Sequence, residues 1–340
     1  MKQLRLFTAL LAIAMLVAAC TGGGSSPSAS TASTGGSQSA APSASADPKA
    51  DWPDEIIIGF VPSREADALV EKIQPVADAL KADLGIDVKG YVSNDYTGLV
   101  EAMGSGQADI GAFGPFALLQ ARDRSGAEII LQSVRNGGAT YHTQWMTTNP
   151  DKYCTDKPTP DKDGWLGCNG TTDATKGPVG EDAIAKVKGA KVSFVEQSSA
   201  SGYVFPALQL SNAGVDYKTD ITPIFSGGHD KSVIAVCTGQ AEVGVSFDDA
   251  RGIAKTDCDV KGKVVTFAFS PEIPNDGWAV RGDLPQTLKE AITQSLLDYA
   301  KTDAGKQVLN SIYEIDDLVP ADPAAFKVVE DAAAKVVGDQ

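Results

Sequence analysis

Histidine is nearly absent from this chain: His142 and His229 are the only 2 in 340 residues. With so few imidazoles, and with cysteines spaced too widely for CxxC knuckles, a structural zinc site is not expected. Basic charge is scarce too. Lysine and arginine number 29 against 44 aspartates and glutamates, a formal charge of −15, which argues against nucleic acid or an anionic membrane surface as a partner. A small anion stays open, because local donors can outweigh a distant net field. No GxxxxGK[ST] loop occurs, which excludes a P-loop phosphotransferase. No GxSxG elbow occurs either, which weakens the case for a serine hydrolase. No internal repeat is apparent. The apolar run Leu6–Ala19 is too short to cross a bilayer as a mature helix.

That run has a different use. "MKQLRLFTALLAIAMLVAAC" sets Lys2 and Arg5 before the apolar stretch and Cys20 after it, the layout of a secretory signal. Val17-Ala18-Ala19-Cys20 resembles a bacterial lipobox, in which cleavage before the cysteine leaves a lipidated N-terminus. The expectation is a signal peptide over 1–19, lipidation at Cys20, and a Ser/Gly/Ala-rich tether over 20–50 with no large apolar residue up to Ala50. The protein is then an extracytoplasmic, cell-membrane lipoprotein held off the bilayer by its tether, and it is expected to act as a monomer. Cys154, Cys168, Cys237 and Cys258 remain, an even number where disulfides persist. Of the three possible pairings, nearness in sequence favours Cys154–Cys168 and Cys237–Cys258.

The folded part, about 290 residues, exceeds one typical core and suggests two lobes. Strand patterns alternate with helical ones: "EIIIGFV", a helix over Ala66–Leu84 stopping at Gly85, "DVKGYV", and so on to helices at Gln286–Asp303 and Pro323–Val337. This pattern predicts an α/β protein with parallel sheets. Two extended segments, Thr140–Asn149 and Phe269–Pro285, belong clearly to neither half and are expected to form two hinge crossings with a cleft between lobes, with ordinary edge strands as the alternative; Trp145 and Trp278 lie on them. The boundaries follow: lobe 1 from 51–143 and 277–340, lobe 2 from 144–276, with a cysteine-bounded surface insertion over 150–178.

The stretch "EQSSASGYVFPALQL" (Glu196–Leu210) joins a strand to a helix through Ser198, Ser199, Ala200, Ser201 and Gly202. A helix start presents unpaired N–H groups and the positive end of the helix dipole. Small side chains let an anion approach, and hydroxyls add donors. Ser199 or Ser201 could equally be a plain cap. Four further strand-to-helix turns carry Tyr96, Phe113 beside a glycine, His229 with Asp230, and Asp248 with Asp249. In parallel α/β sheets ligands bind outside the carboxyl ends of strands, so all five turns can face one crevice. Core packing for the aromatics and capping for the aspartates are the alternatives. The guest is expected to be held by amide hydrogens and hydroxyls rather than by lysine or arginine.

"DYTGLVEAMGSGQADIGAFGPF", "SSASGYVFP", "GGHDKSVIAVCTGQAEVGVSFDD" and "SPEIPNDGWAVRGDLP", in this order, resemble the phosphate/phosphite/phosphonate solute-binding proteins of ABC importers. The resemblance runs from about Glu55 to about Leu309. It implies a two-lobed type II periplasmic-binding-protein fold, a ligand enclosed between the lobes, delivery to the permease subunits of an importer, and neither cofactor nor catalysis. Its Ser-Thr-Ser-Gly turn falls on Ser199, Ala200, Ser201 and Gly202, where Ala200 lacks the threonine hydroxyl. The family's tyrosine falls on Tyr96, its second aromatic on Phe113 without a hydroxyl, its ligand-facing histidine on His229 of a motif that includes Asp230, and its acidic position on Asp248 or Asp249. A carboxylate repels a fully ionised oxyanion but accepts a hydrogen bond from one that keeps a proton. Such an acid is expected to select P-oxyanions over sulfate. The rival readings are a secreted hydrolase with Ser201 as nucleophile and His142 or His229 as base, and a ligand sensor of the same fold.

Overall fold

The computed structural model describes residues 47–172 and 177–338. The signal segment, Cys20 and the tether as far as residue 46 lie outside the described residues. Asp47–Ala50, assigned above to the tether, instead docks. Lys49 Nζ donates to the Leu84 carbonyl at 2.8 Å, and Thr287 Oγ1 donates to the Pro48 carbonyl at 2.9 Å.

The chain forms two α/β lobes. One sheet has the strand order Ile315–Pro320, Glu128–Arg135, Gly277–Val280, Ile110–Phe113, Glu55–Phe60, Asp87–Val92. The other runs Thr222–Phe225, Lys191–Phe194, Val243–Phe247, Thr143–Thr147, Val265–Phe269, Leu166–Gly167, Thr159–Pro160. The β-branched run Ile56–Ile58 suits a strand covered on both faces, and Ile56 and Ile58 are fully buried. Helix Ala66–Leu84 ends where Gly85 takes φ 75° and returns its N–H to the Lys81 carbonyl.

Parallel sheets were expected; both contain parallel pairs but are mixed. Gly277–Val280 runs antiparallel to both its neighbours, and so does Thr143–Thr147 in the other sheet. The reason is directional. Parallel strands of an α/β lobe end at the cleft, whereas a strand entering from the other lobe begins there and must run away from it. The two crossings pair with each other, Thr140–Tyr141 antiparallel to Ile273–Pro274. Trp145 and Trp278 are not on the crossing ribbon. They are buried in the two sheets, where Trp145 Nε1 donates to Gln209 Oε1 at 2.9 Å.

Four parts of the chain differ from the sequence reading. Helix Asp303–Tyr313 and strand Ile315–Pro320 were not foreseen, since Asp316 and Asp317 interrupt the strand's alternation. The 150–178 segment is more than a surface insertion. Its two short strands extend the lobe 2 sheet, and Tyr153 is fully buried against Phe267 with ring centroids 4.8 Å apart. The C-terminal helix Lys327–Val336 belongs to neither lobe alone. Arg122 of lobe 1 donates to Glu330, and Tyr217 of lobe 2 donates its hydroxyl to the Val336 carbonyl at 2.8 Å. Phe326, Val329 and Val336 join a core cluster that contains residues of both lobes. Cys154–Cys168 and Cys237–Cys258 are bonded, the pairing that sequence proximity favours.

Candidate functional site

Strand ends and helix starts from both lobes converge on one cavity of about 30 Å³. Lobe 1 contributes Val61, Ser63, Arg64, Tyr96, Gly114, Pro115, Arg135 and Tyr313; lobe 2 contributes Ser199, Ala200, Ser201, His229 and Phe247; the crossings contribute Tyr141 and Asp276. Room for a water needs about 10–15 Å³ on this scale, so the space suits a guest the size of a small tetrahedral ion.

The quoted turn opens as a wide π turn over Ala200–Val204, continued by the α-helix Phe205–Asn212. Ser199 is the cap: its Oγ accepts from the Gly202 N–H at 3.0 Å. Capping and ligand access thus divide between residues, because the Ala200 and Ser201 N–H groups at the helix start have no partner one turn back. Gly202 is required by packing, since a Cβ there would lie 2.5 Å from Val195 Cβ. The Ser201 carbonyl accepts from Thr143 Oγ1 at 3.1 Å, and Ser201 itself is buried.

His229 is 5% exposed and begins helix His229–Cys237. Its Nδ1 meets Ser246 Oγ at 2.8 Å, and among the described residues Nε2 has no hydrogen-bond partner. Burial, reinforced by Arg135 and Arg64, pushes the imidazole down to about 3, so it is neutral at physiological pH. Burial likewise keeps the hydroxyls of Tyr96, Tyr141 and Tyr313 protonated, as hydrogen-bonding groups without charge.

Of the ten residues proposed from sequence, Tyr96, Ser199, Ala200, Ser201 and His229 line the cavity together. The other five stand outside its lining. Phe113 is core in strand Ile110–Phe113, and Gly202 packs behind the turn. Asp230 is buried with Oδ1 unpartnered among the described residues. Asp248 Oδ1 accepts from the His142 N–H at 2.8 Å, and burial pushes its carboxyl up to about 6. Asp249 is held by the Arg251 guanidinium at 2.6 Å.

Arg64, Arg135 and Asp276 were missed. Arg64 sits in the turn after the first strand, placed as the five chosen turns were, and Arg135 ends strand Glu128–Arg135; position after a strand was the available signal. The expectation that amides and hydroxyls hold the guest without arginine did not anticipate the two arginines that line the cavity. Asp276 lies on the second crossing with its Oδ2 3.9 Å from Arg135 Nη1. Burial raises its carboxyl, and Arg135 and Arg64 oppose the rise.

No serine–histidine pair forms around Ser201 among the described residues. His142 Nδ1 faces the Ser270 carbonyl at 2.8 Å and therefore carries its proton there, while His229 Nδ1 is engaged by Ser246. Among the described residues no helix is long and apolar enough to cross a membrane.

A family model described as an ABC transporter, phosphonate, periplasmic substrate-binding protein matches residues 58–326. The chain is 27% identical over 256 residues to the Mycolicibacterium smegmatis protein named phosphate-import protein PhnD, covering 72% of this chain and 65%, just under two thirds, of that protein. It is 22% identical over 257 residues to the phosphonates-binding periplasmic protein of Escherichia coli, covering 75% of this chain and 69% of that one. PhnD1 from Prochlorococcus marinus, solved in complex with methylphosphonate, superposes with a TM-score of 0.69 at 19% identity, over 86% of this chain and 99% of that chain. At that identity the superposition speaks for the two-lobed fold. With the family model spanning most of the folded region, the chain belongs to the periplasmic substrate-binding proteins of phosphonate ABC transporters.

Proposed function

We propose that this protein is an extracytoplasmic lipoprotein, anchored through Cys20, that encloses one small phosphorus oxyanion between its lobes and delivers it to the permease subunits of an ABC importer. The observation that carries the reading is the convergence of the Ala200 and Ser201 helix start, Tyr96 and His229 on one cavity of about 30 Å³. Such a cradle supplies hydrogen-bond donors from amides and hydroxyls without bulky side chains, which suits a tetrahedral oxyanion. The names of the M. smegmatis and E. coli relatives, one for phosphate import and one for phosphonates, fall within the same ligand class.

Asp276 takes the discriminating role first sought at Asp248 or Asp249. Facing the cavity, it accepts a hydrogen bond from a P–OH group of monohydrogen phosphate, whereas sulfate near neutral pH has no proton to give. A sulfate beside this carboxylate leaves two buried anions in opposition, which is costly.

The test is a thermal-shift panel of the tether-free protein with phosphate, phosphite, methylphosphonate and sulfate. A ligand at a thousand times its Kd adds about 4 kcal/mol of stability. Large shifts with the phosphorus anions and none with sulfate support the reading; no shift with any phosphorus anion refutes it. Release of chromophore from a phosphate ester, abolished by Ser201→Ala, would instead establish a hydrolase.

A further inference from the structure

Arg64 and Arg135 leave different strand ends of lobe 1 and meet at the cavity. Arg135 is 7% exposed, its guanidinium lies 4.9 Å over the Phe247 ring, and its Nε has no hydrogen-bond partner among the described residues. Glu314, which caps helix Asp303–Tyr313 in the left-handed region at φ 59°, approaches both: 3.6 Å from Arg64 Nη2 and 3.3 Å from Arg135 Nη2. Asp276 adds a second carboxylate 3.9 Å from Arg135. Two largely buried guanidiniums thus share one carboxylate at the limit of hydrogen-bond range and a second beyond it. A buried cation with so little compensation is unfavourable unless another anion arrives.

We infer that Arg64 and Arg135 read the charge of the ligand, so that among small phosphorus oxyanions the pocket accepts those carrying two negative charges and rejects singly charged ones of the same size. The inference rests on the oxyanion reading of the pocket and adds to it a charge class. Amides and hydroxyls are neutral and stabilise any anion through fixed dipoles. A guanidinium adds a full charge and a planar fork of donors that matches the edge of a phosphate group. Each further charge on the guest therefore gains most from the two arginines, and Asp276 offsets its own repulsion where the guest retains a proton.

Phosphite and hypophosphite provide the comparison, because both are compact anions of one phosphorus atom that differ by a charge. Calorimetric titrations at about pH 8, above the second ionisation of a phosphate group, use the wild-type mature chain, Arg64→Gln, Arg135→Gln and Arg64→Lys. The wild type is expected to prefer phosphite by at least about 30-fold. Either glutamine variant should weaken phosphite by at least about 30-fold and hypophosphite by a clearly smaller factor, because a single negative charge feels each guanidinium half as strongly, so that the preference shrinks. Arg64→Lys keeps the charge and should keep most of the preference. Equal weakening of both anions, or phosphite binding unaltered in both glutamine variants, would overturn the inference. Should Arg135→Gln fail to fold, Arg64→Gln decides alone. If the wild type binds phosphate, phosphite and methylphosphonate not at all, the oxyanion reading itself has failed, an outcome distinct from a lost charge preference.

Discussion

The backbone N–H of Tyr96 donates to Glu196 Oε2 at 3.0 Å, so a lobe 2 carboxylate caps the first residue of a lobe 1 helix. Thr97 Oγ1 and Ser198 Oγ meet at 3.3 Å, and the His229 N–H reaches the Ser63 carbonyl at 3.0 Å. These bonds cross from one lobe to the other around the cavity. The helix starts at Tyr96 and His229 are thus tied to the opposite lobe, as is the turn ahead of Ala200. Removing the carboxylate in Glu196→Ala deletes a charge-assisted bond made in the closed arrangement, worth about 1.5–3 kcal/mol. Ligand affinity should fall by about tenfold or more, mostly through faster dissociation. Stopped-flow release rates provide the check, and an unchanged rate would deny the latch.

Ser201→Ala removes a buried hydroxyl from a residue that lines the cavity. Affinity for phosphate is expected to drop by about 10–100-fold, the value of one to two hydrogen bonds to a charged group. The melting temperature of the ligand-free protein should move little. Titration calorimetry beside a melting curve separates the two effects.

Asp276→Asn should erode selectivity rather than affinity alone. An amide can donate to an oxyanion that carries no proton, so sulfate becomes a ligand while the advantage of phosphate shrinks. Competition of sulfate against bound phosphate measures the ratio, and a ratio equal to wild type would return the role to another acid.

His229 makes stability depend on pH in a definite direction. Its imidazole is held at about 3 in the folded protein against an ordinary 6.5. As pH falls below 6.5 the unfolded chain takes up a proton that the folded chain refuses, so stability is lost across the window down to about 3. The slope approaches about 1.4 kcal/mol per pH unit. Urea unfolding between pH 7 and pH 4 should show this loss in the wild type and a shallower one in His229→Gln.

The C-terminal helix and the residue just before it hold both lobes through Phe326, Val329 and Val336. Phe326 is fully buried, and Phe326→Ala should cost about 3–5 kcal/mol in denaturant unfolding. A loss below about 1 kcal/mol would mean that the strap is loosely packed.

Local chemistry was legible in the sequence wherever a short segment decides it. Gly85 ends its helix because it alone adopts φ 75° without strain. The two disulfides join cysteines 14 and 21 residues apart, near enough for proximity to choose the pairing. The turn at Ser199–Gly202 announced a helix start through its small, hydroxylated residues. The Asp303–Tyr313 helix and the strand after it escaped notice because acidic residues broke the alternation that marks a strand.

The sequence alone settled the α/β class, the strand-to-helix turns and the residues that open them, since those depend on neighbours a few positions apart. Tertiary structure decided which turns meet. Arg64, Arg135, Asp276 and Tyr313 lie far apart along the chain, and periodicity treats each as an ordinary residue at an element's end. They become one wall only because strands from the opposite lobe enter each sheet antiparallel and bring distant termini to a common mouth. Charge compensation across such distances is a property of the folded arrangement and leaves no trace in local spacing.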